Sequence, residues 1–515
     1  MILIVLFIGF LLTILAIFSR RPDRRYALPG PKGVPLLGNI LQIPPFQFLR
    51  FIEWKAQFGP IFLLKLAGQP VVVINSIEVA GDLLERRSGI YSDRPRFIVA
   101  SELLTGGLVL PVVRYGDLWR KLRRAAHDGL RSQTMPGYEL AQELEAAILM
   151  ESLIKDSTSN SWAEEVKRST ASSMKTAVYG TPPITSINDP VVSYINAIGH
   201  RVTLAMVPGR YLVEFFPKML LLPGWLAPWK REALSWFKRD SEKLRSLMES
   251  VEQQVINGLQ IPSFATNLYL TRGRHQLNRI EQAWLAGTLF TAGSDTSSST
   301  FTFFILAMRL YPEVMKKAQA EIDRVVGRER APNFADRDKL PYIRALIKEV
   351  LRWGPVTPLG VPRQAQQDDY YNGHFIPKGS IVVVNAWGIN NDPKVFPNPH
   401  EFRPERFLDP SGTADVIPEG TRNQGHVSFG FGRRICIGMN LAVQFQFINI
   451  ATLLWAANVE PGYDKDGDVA TPSNSPSNWV DEGAVIRPVP FPCNIVPRFS
   501  GVEEVLRRTR AGRSI

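Results

Sequence analysis

The chain has 515 residues, 45% hydrophobic and 21% charged, proportions that exclude a disordered polymer, a collagen-like fibre and a coiled coil. Its two cysteines exclude a disulfide framework and a four-thiolate metal centre, and they fit a reducing compartment. A net charge of +12 suits an anionic partner or a membrane surface and does not call for nucleic acid.

Met1 to Phe18 carries no charge and one polar side chain, Thr13. Eighteen residues at about 1.5 Å each reach roughly 27 Å, enough for the thin bilayer of the endoplasmic reticulum. A cleaved signal peptide would have a basic start, a shorter apolar run and a small-residue cleavage site, none of which is present. Arg20, Arg21, Arg24 and Arg25 follow the run, so the positive-inside rule predicts a single-pass anchor with everything after it cytoplasmic. Leu28-Pro-Gly-Pro-Lys-Gly-Val-Pro35 then reads as a stiff hinge, because proline fixes φ and stops helices.

The rest is predicted to be mostly helical. Apolar spacing marks helices at Phe46–Phe58, Val79–Arg87, Asp117–Leu130, Tyr138–Lys155 and Ala227–Ile256. Arg279–Tyr311 reads as one long helix, Pro312 suits the first turn of the next, to Val326, and Pro341–Trp353 and Gly438–Ala457 follow. Strands are expected at Ile61–Leu66, Val71–Asn75, Ile381–Asn385 and Ala484–Val496. There is no internal repeat, GxGxxG or P-loop.

Chemistry concentrates in Phe429-Gly-Phe-Gly-Arg-Arg-Ile-Cys-Ile-Gly438. Gly430 and Gly432 allow close backbone beside a bulky flat group, and the helix predicted near Gly438 favours thiolate at Cys436. Arg434, two residues earlier, can pair with a carboxylate. This is what a haem iron with propionates requires, although a lone cysteine is also a common buried structural residue. Cys493, in a Pro-flanked β segment, reads as structural. His426, near the start of the loop, reads as a core or surface histidine.

The segment FGFGRRICIG resembles the cysteine-loop signature of the cytochrome P-450 monooxygenases. That resemblance implies a mainly α fold with small β-sheet regions and haem b ligated by the Cys436 thiolate. Other marks follow the same order. Ala292-Gly-Ser-Asp-Thr296 lies mid-way along the long helix, with Ala292, Gly293 and Thr296 on one face. A helix-interior glycine costs about 1 kcal/mol relative to alanine, which suggests a close neighbour at Gly293. In the similar family this segment crosses the distal face of haem, and Asp295 with Thr296 supplies protons; taken alone, it could equally be an amphipathic helix with a Ser/Thr patch. Glu349 and Arg352 can pair at i,i+3, and Arg406 in Phe402–Phe407 would complete a structural triad. Trp119 and Arg123, four apart, would reach a propionate, and Arg363 stands where many members place histidine. Ile437 replaces a more usual Pro or Ala. Phe429 and Ala292 would also border the cofactor.

The resemblance covers essentially the whole chain: an anchor (1–18), a basic Pro-rich hinge (19–45) and a haem-binding domain (46–515). It is similar to fungal microsomal members acting on secondary metabolites. It implies NADPH-derived electrons from a separate flavoprotein reductase, with Arg120, Lys121 and Arg124 offering a docking face. A hydrophobic substrate would meet a pocket lined from Phe97–Leu118, Phe290, Ala292 and Val356–Val361. A haem-thiolate isomerase, dehydratase or peroxygenase independent of a reductase, and a tethered binding protein without catalysis, are the alternatives.

Overall fold

Asn278 and Glu281 close a capping box, each side chain taking up the other's backbone N–H, and from it runs the central helix Arg279–Leu310. Pro312 occupies the first position of the next helix, Pro312–Val325, where no N–H is needed. Both ends of the long helix thus lie within a residue of expectation. The structure is a computed structural model that describes residues 27–512 apart from 157–160, 187, 208, 423, 465 and 482. The anchor expected at 1–18 lies outside the described residues. The Pro-rich stretch after it is docked on the body: Leu28 is buried, and the Leu63 N–H donates to the Pro29 carbonyl at 2.8 Å.

Among the described residues the molecule is mainly helical with four small sheets. The largest is ordered Ile61–Leu66, Gln69–Ile74, Ile381–Val384, Arg363–Gln364; its first pair is antiparallel (Leu63 opposite Val72), its second parallel (Val72 opposite Val382) and its third antiparallel. The late β region divides into Trp479–Asp481, Ile486–Pro488 and Cys493–Pro497, the last pairing with Ala457–Pro461. The helix expected at Val79–Arg87 starts earlier, at Ile77, and loosens into a π turn at Asp82–Arg86.

The central helix is buried on nearly every side. Phe301–Met308 packs into a core with Leu346, Val350 and Phe447–Ala456, and Trp284–Phe290 packs into a second core with Leu122, Phe264 and Phe445. Met439–Ala456 is apolar enough to cross a membrane, but 78% of that span is buried inside the protein, so its composition reflects the core. Two helices absent from the sequence expectations, Trp162–Tyr179 and Pro190–Met206, pack against the central helix. Trp162–Tyr179 comes so near that a Cβ on Gly293 would lie 2.5 Å from Met174 Sδ. The close neighbour expected at Gly293 is therefore this helix.

Candidate active site

The loop before Cys436 is folded by its own backbone. The Cys436 N–H donates to the Phe429 carbonyl at 2.9 Å, and the Gly430 N–H donates to that of Val427 at 2.9 Å. Gly432 has φ +54°, and a Cβ there would fall 2.1 Å from the Leu84 carbonyl oxygen. Its glycine requirement comes from the turn Asp82–Arg86, not from a flat group. Cys436 Sγ is accessible only from an interior cavity and is otherwise deep in the protein. Burial pushes the Cys436 thiol up; the Gly438 N–H and the Arg123 guanidinium oppose this without overcoming it. The expected lowering at the start of helix Met439–Ala456 is thus outweighed by desolvation.

The cavity, about 310 Å³, has Cys436 on its wall together with Trp119, Arg123, Ala292, Gly293, Thr296, Arg363, Phe429 and Arg434. The fold brings together nearly the whole set singled out from sequence. Asp295 is the exception: it is exposed and does not line the cavity, because a step of 100° along the helix carries it off the Thr296 face. Thr296 Oγ1 donates to the Ala292 carbonyl at 2.7 Å. The expected pocket loop Phe97–Leu118 contributes Leu110 and Pro111, and Val356–Val361 contributes Val356, Thr357, Leu359, Gly360 and Val361. Phe290 does not line the cavity as expected; it is fully buried in the second core, turned from the Leu289 and Ala292 face.

One residue was missed. Arg94, in Ser92-Asp-Arg-Pro95, is buried on the cavity wall and donates to the carbonyls of Pro111 (2.7 Å), Val361 (2.6 Å) and Pro362 (2.8 Å). An arginine before proline, immediately after an aspartate, was the available signal. With Arg123, Arg363 and Arg434 it makes four guanidinium groups on one cavity, and among the described residues no Asp or Glu lines it.

Their hydrogen bonds go to uncharged partners. Arg434 donates to the carbonyls of Ser92 (2.9 Å) and Val113 (2.7 Å) and lies 4.5 Å over the Trp119 ring, while Arg363 donates to the Phe431 carbonyl at 2.5 Å with Nη1 left unpartnered. Burial pulls Arg434 down to about 9 and Arg363 to about 10; Arg94 and Arg123 move the same way for the same reason. Arg94 and Arg434 are also pressed down by neighbouring guanidinium charges.

Beneath the loop, the Glu349 carboxylate takes two hydrogen bonds from Arg352, at 2.6 and 2.8 Å, and one from the Arg403 N–H at 2.8 Å. Arg406 Nε stands 3.5 Å away as the expected second guanidinium. Arg352 also donates to the Asn390 carbonyl at 2.9 Å. Asn390 Oδ1 accepts the Val427 N–H and its amide donates to Ser428 Oγ, so Asn390 couples the charge cluster to the cysteine loop. His426 is buried, its pKa pulled down to about 3 by desolvation, which makes it a neutral core histidine. Cys493 is buried in a strand, as expected of a structural residue.

A thiol and a set of guanidinium groups with no carboxylate hydrogen-bonded to them, acted on only at a distance by Asp93 and Glu85, on an otherwise apolar wall fit a flat hydrophobic metal complex that carries carboxylates. Haem meets that description: it takes thiolate at iron and presents two propionates. The family model for cytochrome P450 matches residues 28–475. Cytochrome P450 monooxygenase 58 of Postia placenta is 49% identical over 505 residues, 98% of this chain and 95% of the relative. A cytochrome P450 monooxygenase of Armillaria gallica is 44% identical (96% and 94%), and cytochrome P450 monooxygenase iboC of Amanita muscaria is 36% identical (95% and 94%).

Proposed function

The chain belongs to the cytochrome P450 monooxygenase family, and from that premise we propose that it oxidises a hydrophobic small molecule of secondary metabolism, using dioxygen and NADPH electrons delivered by a separate flavoprotein reductase. The observation that carries this reading is Cys436 Sγ facing a cavity with four guanidinium groups and no carboxylate among its described lining residues. Cys436 would hold haem b through its thiolate, and Arg94, Trp119, Arg123, Arg363 and Arg434 would hold its propionates. When bound, haem supplies the binding and reductive cleavage of dioxygen. Thr296 Oγ1 holds a proton at the cavity wall, and Asp295, exposed one residue earlier, gathers protons from solvent for it. Leu289, Val356, Leu359 and Val361 exclude water and favour an apolar substrate.

Membrane attachment belongs to the same reading, with residues 1–18 as a single-pass anchor in the endoplasmic reticulum and the domain 46–515 cytoplasmic. Phe216, Leu221 and Trp225 in one segment and Leu36 and Leu41 in another are each more than half exposed, and exposed apolar clusters of this kind support contact with a lipid surface.

The test is the ferrous–CO spectrum of purified protein. A thiolate-type Soret shift is expected in the parent and in Cys493→Ser, and its loss is expected in Cys436→Ser. The opposite pattern would reassign the ligand. Turnover with NADPH and reductase, set against turnover with hydrogen peroxide alone, separates the monooxygenase from a reductase-independent enzyme.

A further inference from the structure

Two acidic side chains act on the arginines of the cavity wall, and each is engaged from outside by another arginine. The charge of Asp93 acts on Arg94 and Arg434, and that of Glu85 acts on Arg363. Neither carboxylate lines the cavity. Glu85 accepts a hydrogen bond from Arg422 at 3.1 Å. Asp93 is the deeper of the two, its side chain 5% exposed against 28% for Glu85. One Asp93 oxygen accepts from Arg114 Nη2 at 2.6 Å, and the other accepts the Tyr115 N–H at 2.7 Å. Arg114 is itself exposed and lies off the cavity wall.

Asp93 stands where three stretches bordering the cavity meet. Its carbonyl accepts the N–H of Gln364, the neighbour of Arg363, at 3.0 Å. Arg434 donates to the carbonyls of Ser92 and Val113, the residues just before Asp93 and Arg114. Burial pushes the Asp93 carboxyl up, but Arg114 and the N–H groups of Tyr115 and Arg94 pull it below its ordinary value, so it is ionised at neutral pH. An ionised, buried carboxylate beside guanidinium groups ordinarily takes charge-assisted hydrogen bonds from them. Arg94 and Arg434 instead donate to backbone carbonyls, and the carboxylate is given to Arg114.

We propose that Arg114 is a positioning residue for the cavity: it holds the Asp93 carboxylate away from Arg94 and Arg434, and so leaves those two guanidinium groups for the carboxylates of a bound ligand. Arg114 acts only through Asp93. That the ligand carboxylates are haem propionates rests on the function proposed above.

Haem transfer from the full-length protein to apomyoglobin tests this. Asp93→Asn keeps an acceptor for the Tyr115 N–H but removes the competing charge, so transfer should become about threefold slower than in the parent. Arg114→Gln releases the carboxylate toward the wall and should make transfer about threefold faster. Arg114→Lys, which keeps the charge, should stay close to the parent. The double variant Asp93→Asn with Arg114→Gln should match Asp93→Asn alone, because Arg114 has no other route to the cavity. A pair that merely braces the chain predicts faster transfer in both single variants, and that pattern overturns the proposal. Unchanged transfer in Arg114→Gln overturns it too, as does a double variant whose change is the product of the two single effects. Loss of the thiolate-type CO spectrum in Asp93→Asn would make the carboxylate a part of the scaffold and has the same consequence. A parent without that spectrum sinks the haem reading and this inference together, whereas a normal parent spectrum with any of the contrary rate patterns sinks the inference alone.

Discussion

Two groups of buried arginines lie close to the cysteine loop and differ in one respect. Arg352 and Arg406 surround Glu349, and the carboxylate and Arg352 are both wholly buried, with the remaining N–H groups given to the carbonyls of Asn390, Pro397 and Asn398. Arg94, Arg123, Arg363 and Arg434 surround the cavity with no acidic side chain among the described lining residues. The first cluster contains its own counter-charge and is therefore structural. The second has no carboxylate hydrogen-bonded to it, Asp93 and Glu85 acting only at a distance, and four buried cations so weakly compensated favour a bound anion. The same residue type, at similar depth, thus differs between the two groups in whether a carboxylate is paired with it.

The largest effect should come from breaking the cluster around Glu349. Glu349→Gln leaves two buried guanidinium groups without a carboxylate and should cost about 3–5 kcal/mol in urea unfolding. The double variant Glu349→Leu with Arg352→Met should recover part of that loss, because only Arg406 is then left without its carboxylate. No recovery would mean that the pair has a role beyond charge compensation.

In the cavity the sign should reverse for the haem-free protein. Arg363→Met and Arg434→Met each remove a buried charge with no hydrogen-bonded carboxylate, so haem-free protein should gain about 1 kcal/mol against urea. Haem transfer to apomyoglobin should become about tenfold faster for the same variants. Destabilised haem-free protein with unchanged haem loss would place these arginines in the scaffold after all.

The smallest effect concerns charges on the outer side of the clamp helix Asp117–Leu130. Arg120 is tied to Asp117 at 2.5 Å and lies 5.6 Å over Tyr115, while Arg124 is exposed and Lys121 half-buried. Lys121→Glu with Arg124→Glu should slow reductase-driven reduction about threefold at low ionic strength, and the difference should fade as the Debye length drops below about 8 Å. Stopped-flow CO binding after NADPH addition measures it, with dithionite reduction as the control. Equal rates at low salt would remove this face from reductase docking.

How much of this was legible in the sequence depends on the range of the interaction. Local signals were sufficient for the central helix, whose start is written in Asn278 and Glu281 and whose end is written in Pro312. They were also sufficient for the Glu349–Arg352 pair at i,i+3, and for Cys436, whose neighbours Phe429 and Gly438 lie within its own loop. Helix Pro190–Met206 carried a readable start as well, since Asp189 caps it and Pro190 fills its first turn. Helix Trp162–Tyr179 did not. Its middle, Arg168-Ser-Thr-Ala-Ser-Ser-Met174, is poor in strong helix formers and nearly all buried, so no apolar stripe repeats along it. It is held against the central helix where Gly293 leaves room for Met174, a tertiary reason.

The sequence by itself determined the family and the order of the helices that flank the Cys436 loop, because each is carried by residues adjacent in the chain. Only the tertiary structure brought Arg94, Arg123, Arg363 and Arg434, from four distant segments, onto one wall, and only it turned Phe290 and Asp295 away from that wall. Whether a side chain belongs to the cavity depends on helix phase and on what packs behind it. Whether a buried charge is structural or ligand-binding depends on every acidic group within reach. Both are sums over residues far apart in sequence, and folding is what brings them together.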